Sequence, residues 1–268
     1  MSLRIAALPM YDWPETRADT DAEWARIADA LRREGIDAPA TLARRNADLP
    51  PVPGGITDAE GRVIAPDPAT LPPDGFDLPV LWRHPALLFA QTCWGPLEAG
   101  LEPYVQVVGQ PDYSAYEGGE GAFYSSAIVM RSGSSSGADV EAPADGAAII
   151  VPALLRGKRL AYSEKTSMSG FLALKRDLEA AGANLSAFSG MTETGSHRAS
   201  VLAVAEDRAD VCAVDCRSWA LMRRYEPAAE ALSVVGWTAR RLGLPFITSR
   251  RTSPELLAIL RSVTGVLP

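Results

Sequence analysis

The chain has 268 residues, 47% of them apolar and 22% charged, a globular balance with enough material for one large domain or two small ones. The formal net charge of −7 argues against nucleic acid as the main partner, because phosphate backbones are held by basic surfaces, while leaving room for a small anion in a local pocket. Three cysteines, Cys93, Cys212 and Cys216, lack CxxC spacing and a nearby His pair, which argues against a zinc site and a disulfide framework and fits thiols in a reducing compartment.

The start, Met1-Ser2-Leu3-Arg4-Ile5, shows no basic leader or cleavage site, and no stretch has the apolar length of a membrane span. Leu3 to Leu8 is an apolar run that stops at Pro9, as a buried parallel strand does. The next helix is predicted from Asp21 to Glu34, with Thr20 and Glu23 as a capping box and Gly35 as its stop. Trp24, Ile27 and Leu31 fall on its sheet-facing side. Residues 46–79 are dense in Pro and Gly and read as an irregular surface excursion, with a hairpin turn near Glu60-Gly61.

Strands are expected at Leu87–Thr92, Tyr104–Val108 and Ala122–Met130, followed by a flexible Ser/Gly stretch at Ser132–Gly137. Arg159–Ser163 reads as a strand leading into a helix that ends at Gly182, with Phe171, Leu174, Leu178 and Ala181 as its apolar stripe. A helix at Ala199–Glu206, a strand at Val211–Val214, a last central strand at Leu232–Val235 and a helix at Pro254–Val263 complete the chain. Strands alternate with helices throughout, so the class is α/β.

Three segments carry candidate chemistry. In Gly157 to Gly170 a strand gives way to small hydroxyl residues and then a helix. The first turn of a helix presents unpaired N–H groups and a partial positive charge; Thr166, Ser167 and Ser169 add donors, and Gly170 admits close approach to the backbone. One hydroxyl would suffice as a cap, and three are present. Gly195-Ser196-His197 again precedes a helix. Asp215 ends an apolar strand, where ligands sit above open α/β sheets, although a carboxylate there equally suits a helix cap.

The blocks Gly157-Lys158-Arg159, Thr166-Ser167-Met168-Ser169-Gly170, Gly195-Ser196-His197 and Ala209-Asp210 through Asp215 resemble the phosphate/phosphonate ABC-transporter solute-binding family, whose pattern runs GKR, STSG, SGSH, ADVAAVD. Leu8-Pro9-Met10-Tyr11-Asp12, Gln91-Thr92-Cys93, Tyr124-Ser125 and Gly243-Leu244-Pro245-Phe246 agree with its shorter relatives. The resemblance covers most of the chain outside 46–79 and 132–150. It implies a two-lobed type II periplasmic-binding-protein fold, each lobe a mixed sheet flanked by helices, with residues 1–124 and 218–268 in one lobe, 125–217 in the other, and two hinge crossings between them.

By the same resemblance the ligand is a small anion (phosphonate, phosphate or a similar oxyanion or carboxylate) in an interlobe cleft. Tyr11 would flank it and Thr92 would contribute from the first lobe. Ser167, Ser169 and His197 would hold its acidic head, and Asp215 would accept from an amine or hydroxyl. Tyr124, Ser125, Thr166, Gly170 and Ser196 complete the expected ligand set, with Arg131 or Arg198 at the rim. No catalytic residue, cofactor or metal is expected. The partners would be the ligand and an ABC permease, with no nucleic acid or membrane insertion, in a monomer or weak dimer. Location would be periplasmic by the resemblance, or cytoplasmic if the leaderless start is native. Two alternatives stay open: a cytoplasmic ligand-sensing module, and an enzyme on the same fold that pairs Cys93 with His197.

Overall fold

The structure, a computed structural model, describes residues 4–133 and 139–264. In chain order its strands are β1 (Ile5–Ala7), β2 (Ile56–Thr57), β3 (Val63–Ala65), β4 (Leu87–Gln91), β5 (Val105–Gly109), β6 (Gly119–Glu120), β7 (Phe123–Tyr124), β8 (Ser126–Arg131), β9 (Arg159–Tyr162), β10 (Gly190–Glu193), β11 (Val211–Asp215), β12 (Leu232–Trp237), β13 (Arg241–Leu242) and β14 (Phe246–Ser249). The helices are α1 (Arg17–Arg33), α2 (Leu78–Arg83), α3 (Trp94–Pro96), α4 (Pro152–Leu155), α5 (Ala173–Ala180), α6 (His197–Ala205), α7 (Cys216–Tyr225) and α8 (Pro254–Thr264). Two compact units result, Met1–Pro111 with Leu244–Pro268, and Asp112–Gly243.

The first unit is built on a sheet ordered β1-β4-β14-β5, in which β1 and β4 run parallel and β14 is antiparallel to both neighbours. Alternate residues serve opposite faces, as the period of a strand requires. Ala6 and Leu8 join Trp24, Leu31, Phe246 and Leu260 under α1 and α8, while Ile5 and Ala7 face Val80, Leu81 and Trp82 of α2. Phe89 ties the first layer together, stacking on Trp24 at 5.9 Å and lying 5.0 Å from Phe246 between ring centroids.

The second unit carries a sheet ordered β10-β9-β11-β8-β12. Strands β10, β9 and β11 are parallel, and β8 and β12 bring in antiparallel pairings. Helix α5 lays Leu174 and Leu178, with Phe171 just before it, against Leu160, Val211 and Ala213. Buried Asp177 of α5 accepts from Ala239 N at 2.8 Å and pairs with Arg241, fixing the helix to the segment before β13.

Several expectations change on the structure. Helix α1 begins at Arg17, so Thr20 lies inside it and returns its hydroxyl to Thr16 O instead of capping. Gly35 follows the helix at φ +77°, a conformation that suits glycine. The hairpin at Glu60-Gly61 forms between β2 and β3, yet the 46–79 excursion is more than surface: Leu49, Ile56 and Ala65 are buried in the core beside Leu81. Its prolines supply no N–H groups, and Asn46 compensates by bonding Pro72 O and Asp77 N. The expected strand at Ala122–Met130 breaks at Ser125 into β7 and β8. Leu232–Val235 is not the last central strand, because β14 inserts between β4 and β5. Edge strand β10 was not foreseen; its residues are all exposed and carry no apolar alternation. Most of Ser132–Gly137 lies outside the described residues.

Residues 112–124 and 218–243, expected with the first lobe, pack in the second unit. The hydrogen bonding explains the bounds. Strand β12 pairs with β8 from Leu232–Arg131 to Trp237–Ala127, and β13 pairs with β7.

Candidate anion site

Because β9, β10 and β11 are parallel, their C-terminal ends gather at one end of the sheet, and the loops that follow them meet there. Antiparallel β8 starts at the same end, with Ser126 opposite Asp215. Three turns of chain therefore converge: Ser163–Gly170 after β9, Thr194–His197 after β10, and Asp215 at the end of β11.

The first turn opens a widened, π-helical segment, Met168–Leu172, ahead of α5. Ser167 caps it, its Oγ accepting from Gly170 N at 3.0 Å while Phe171 N and Leu172 N bond to its carbonyl at 3.2 and 3.0 Å. Ser169 and Gly170 are buried just inside. Gly170 is required by space: a β-carbon there would stand 2.4 Å from Ser163 Oγ, 3.0 Å from His197 Cε1 and 3.1 Å from Ser167 Oγ.

The second turn is tied to the first by main chain, Thr194 N to Tyr162 O at 2.9 Å and Gly195 N to Ser163 O at 2.8 Å. Helix α6 then starts with His197 in its first turn, capped by Ser196 Oγ from Ala199 N at 3.1 Å. His197 Nε2 lies 2.8 Å from Ser169 Oγ and 3.3 Å from Asp215 Oδ2. Asp215 is 0% exposed, and its Oδ1 accepts from Ser218 N at 2.9 Å, capping α7.

The electrostatics follow from burial. Desolvation holds His197 below the usual imidazole range, and the Asp215 carboxylate pulls the other way without prevailing. The neutral ring carries its proton on Nε2, an assignment inferred from the acceptor Asp215 beside it. Ser169 then accepts from Nε2–H, which leaves its own O–H available as a donor. Nδ1 is buried and makes no hydrogen bond.

The expected residues divide accordingly. Ser167, Ser169, Gly170, His197 and Asp215 come together. Of its two expected roles, Asp215 takes that of helix cap at the start of α7. Thr166 is exposed, and the exposed Ser196 uses its hydroxyl as a cap. Tyr124 and Ser125 precede β8 at the same end of the sheet; Tyr124 packs on Tyr113 at 5.6 Å, and Ser125 O accepts from Cys216 N at 3.2 Å. Arg131 belongs elsewhere. It ends β8 at the far side of the sheet, bonding Val204 O, Ala209 O and Asp210. Arg198 pairs with Glu226 at 3.1 Å.

In the first unit Tyr11 and Thr92 follow the C-terminal ends of the adjacent parallel strands β1 and β4. Both are buried, and Thr92 Oγ1 makes no hydrogen bond. Cys93 belongs to this unit and His197 to the other. All three cysteines are unbridged, and burial pushes the Cys212 thiol up to about 12. Among the described residues no three His, Cys, Asp or Glu side chains gather as a metal-binding group.

One residue was missed. Ser163 is 6% exposed, its Oγ has no hydrogen-bond partner, and it sits directly beside Gly170. The available signal was its place, the first residue after a buried strand in a parallel sheet.

The architecture recurs in solved structures. The chain is similar to PhnD1 from Prochlorococcus marinus in complex with methylphosphonate, at 14% identity and TM-score 0.60, covering 98% of this chain and 84% of that one. XAC2383 from Xanthomonas citri, bound to chloride ion, gives 16% identity and TM-score 0.59 over 98% and 83%. The binding-protein component of an ABC phosphonate transporter from Pseudomonas aeruginosa gives 15% and 0.56 over 96% and 72%. No curated protein matches the chain by sequence. These likenesses define the class: a two-lobed, type II periplasmic-binding-protein fold. The model of the phosphonate ABC-transporter periplasmic substrate-binding protein family matches residues 97–264, and the chain belongs to that family. It is thus a solute-binding component of an ABC transporter, whose members serve a small ligand and a permease. Among the described residues no helix is long and apolar enough to cross a membrane.

Proposed function

We propose that the second unit holds the head of a phosphonate-class oxyanion at Ser167, Ser169, Gly170 and His197. The observation that carries this reading is the Ser169–His197–Asp215 array at the opening of the Met168–Leu172 turn, where hydroxyl donors and a helix start converge beside a glycine. Asp215 acts here through His197: both of its oxygens face protein groups, so it orients the imidazole and does not need a ligand amine. Tyr124 and Ser125 lie at the same end of the sheet as the site, Ser196 caps α6, and Thr166, Tyr11 and Thr92 enter by the family resemblance alone. PhnD1, the similar protein that holds methylphosphonate, supports that ligand as the first probe.

The chain would bind and release its solute unchanged, in the periplasm, as a monomer or weak dimer. Titration calorimetry with methylphosphonate, phosphate and sulfate tests the reading. Saturable binding by wild type, with recovery of intact ligand by mass spectrometry, supports it. Affinity unchanged in a Ser167→Ala/Ser169→Ala double variant rejects this site.

A further inference from the structure

We propose that Ser163 is a ligand-contact and specificity residue, the third hydroxyl donor of the site, reading the third terminal oxygen of a tetrahedral head group. This deepens the oxyanion reading and rests on it. Ser163 occupies a constrained position. Its carbonyl accepts from Gly195 N at 2.8 Å and so anchors the turn that delivers His197. Its hydroxyl reaches over Gly170, 2.4 Å from where a β-carbon would stand, in the space shared with Ser167 Oγ and His197 Cε1. That hydroxyl is buried and bonds to no protein group. A buried hydroxyl without a partner is costly to a fold, and each one that persists calls for an explanation such as a ligand that uses it.

The neighbouring hydroxyls show what that use is. Ser167 Oγ accepts from Gly170 N, so its proton points elsewhere. Ser169 Oγ accepts from the His197 Nε2–H that Asp215 fixes, so its proton is also available. With Ser163 three O–H donors cluster around one glycine. A carboxylate offers two oxygens, whereas a phosphonate, sulfonate or phosphate monoester offers three, each able to accept from one hydroxyl.

The test is Ser163→Ala, which removes one atom and introduces no crowding. Calorimetry with methylphosphonate is paired with the melting temperature of the ligand-free protein. The expected result is a loss of affinity of about tenfold with a melting temperature equal to or above wild type, because the unsatisfied hydroxyl is gone. Affinity within twofold of wild type overturns the proposal, as does a lower ligand-free melting temperature, which would mark the hydroxyl as an internal structural bond. Failure of wild type to bind methylphosphonate, phosphate or sulfate is a separate result and sinks the oxyanion reading itself.

Discussion

Ser163 and Gly170 share one volume: the serine hydroxyl lies 2.4 Å from the position a side chain at 170 would need. Gly170→Ala must therefore displace Ser163 or rotate His197, whose Cε1 is 3.0 Å away. The expected loss is about 1–3 kcal/mol of stability from overpacking, together with at least a tenfold loss of methylphosphonate affinity. Thermal melts and calorimetry on the same preparation check both.

Ser167 and Ser169 separate on the same two measurements. Ser167 caps its helix through Gly170 N, so Ser167→Ala should lower stability by about 1 kcal/mol as well as weaken binding. Ser169 makes no cap; its hydroxyl meets His197. Ser169→Ala should cost binding roughly tenfold, one charge-assisted hydrogen bond, with a smaller shift in melting temperature.

Asp215→Asn keeps an oxygen for the Ser218 N–H and removes the charge beside His197. That charge favours the imidazolium, so its loss should move the His197 titration midpoint further down. The chain has two histidines, which makes an NMR titration of ring protons simple to assign with a His84→Gln variant. An unchanged or higher midpoint would contradict the assigned pair.

The two histidines also set the acid side of stability. Burial lowers both His84 and His197 from the ordinary value, against a backbone bond to Pro50 O at His84 and the Asp215 charge at His197. In the unfolded chain each takes up a proton near pH about 6.5; in the folded protein each stays neutral to lower pH. The unfolded state then binds more protons below that point, so stability is full above it and falls as pH drops from 7 toward 5. Asp210, held well below the carboxylate range chiefly by its hydrogen bond to Arg159, contributes in a more acidic window. Melting temperatures across pH 5–7 should decline for wild type and less steeply for His197→Gln. Methylphosphonate should reduce the decline, since a bound anion favours the imidazolium.

Much of the site was legible because its parts are local. Ser167, Ser169 and Gly170 lie in one short stretch at a strand-to-helix transition, and that pattern has a direct electrostatic meaning. His197 and Asp215 stand at equivalent places after their own strands. Their mutual contact was not readable, since it depends on β9 lying between β10 and β11. Ser163 stayed hidden for the same reason: a serine at a strand end is unremarked until the adjoining glycine is seen to leave it space. Nor could the lobe bounds be read from motifs, because residues 218–243 are held by β12 pairing along β8, a long-range relation with no sequence mark of its own. The Pro-rich 46–79 region misled through composition, which reports backbone restrictions and says little about where Ile56 or Leu49 points.

That region has a practical implication. With Leu49, Ile56 and Ala65 buried beside Leu81 and Ile247, it is part of the first unit's hydrophobic core and cannot be trimmed like a decorative loop. A minimised version of this binder for biosensor use would have to keep the hairpin and its Asn46 bracket, and surface engineering should instead target its exposed tip around Glu60.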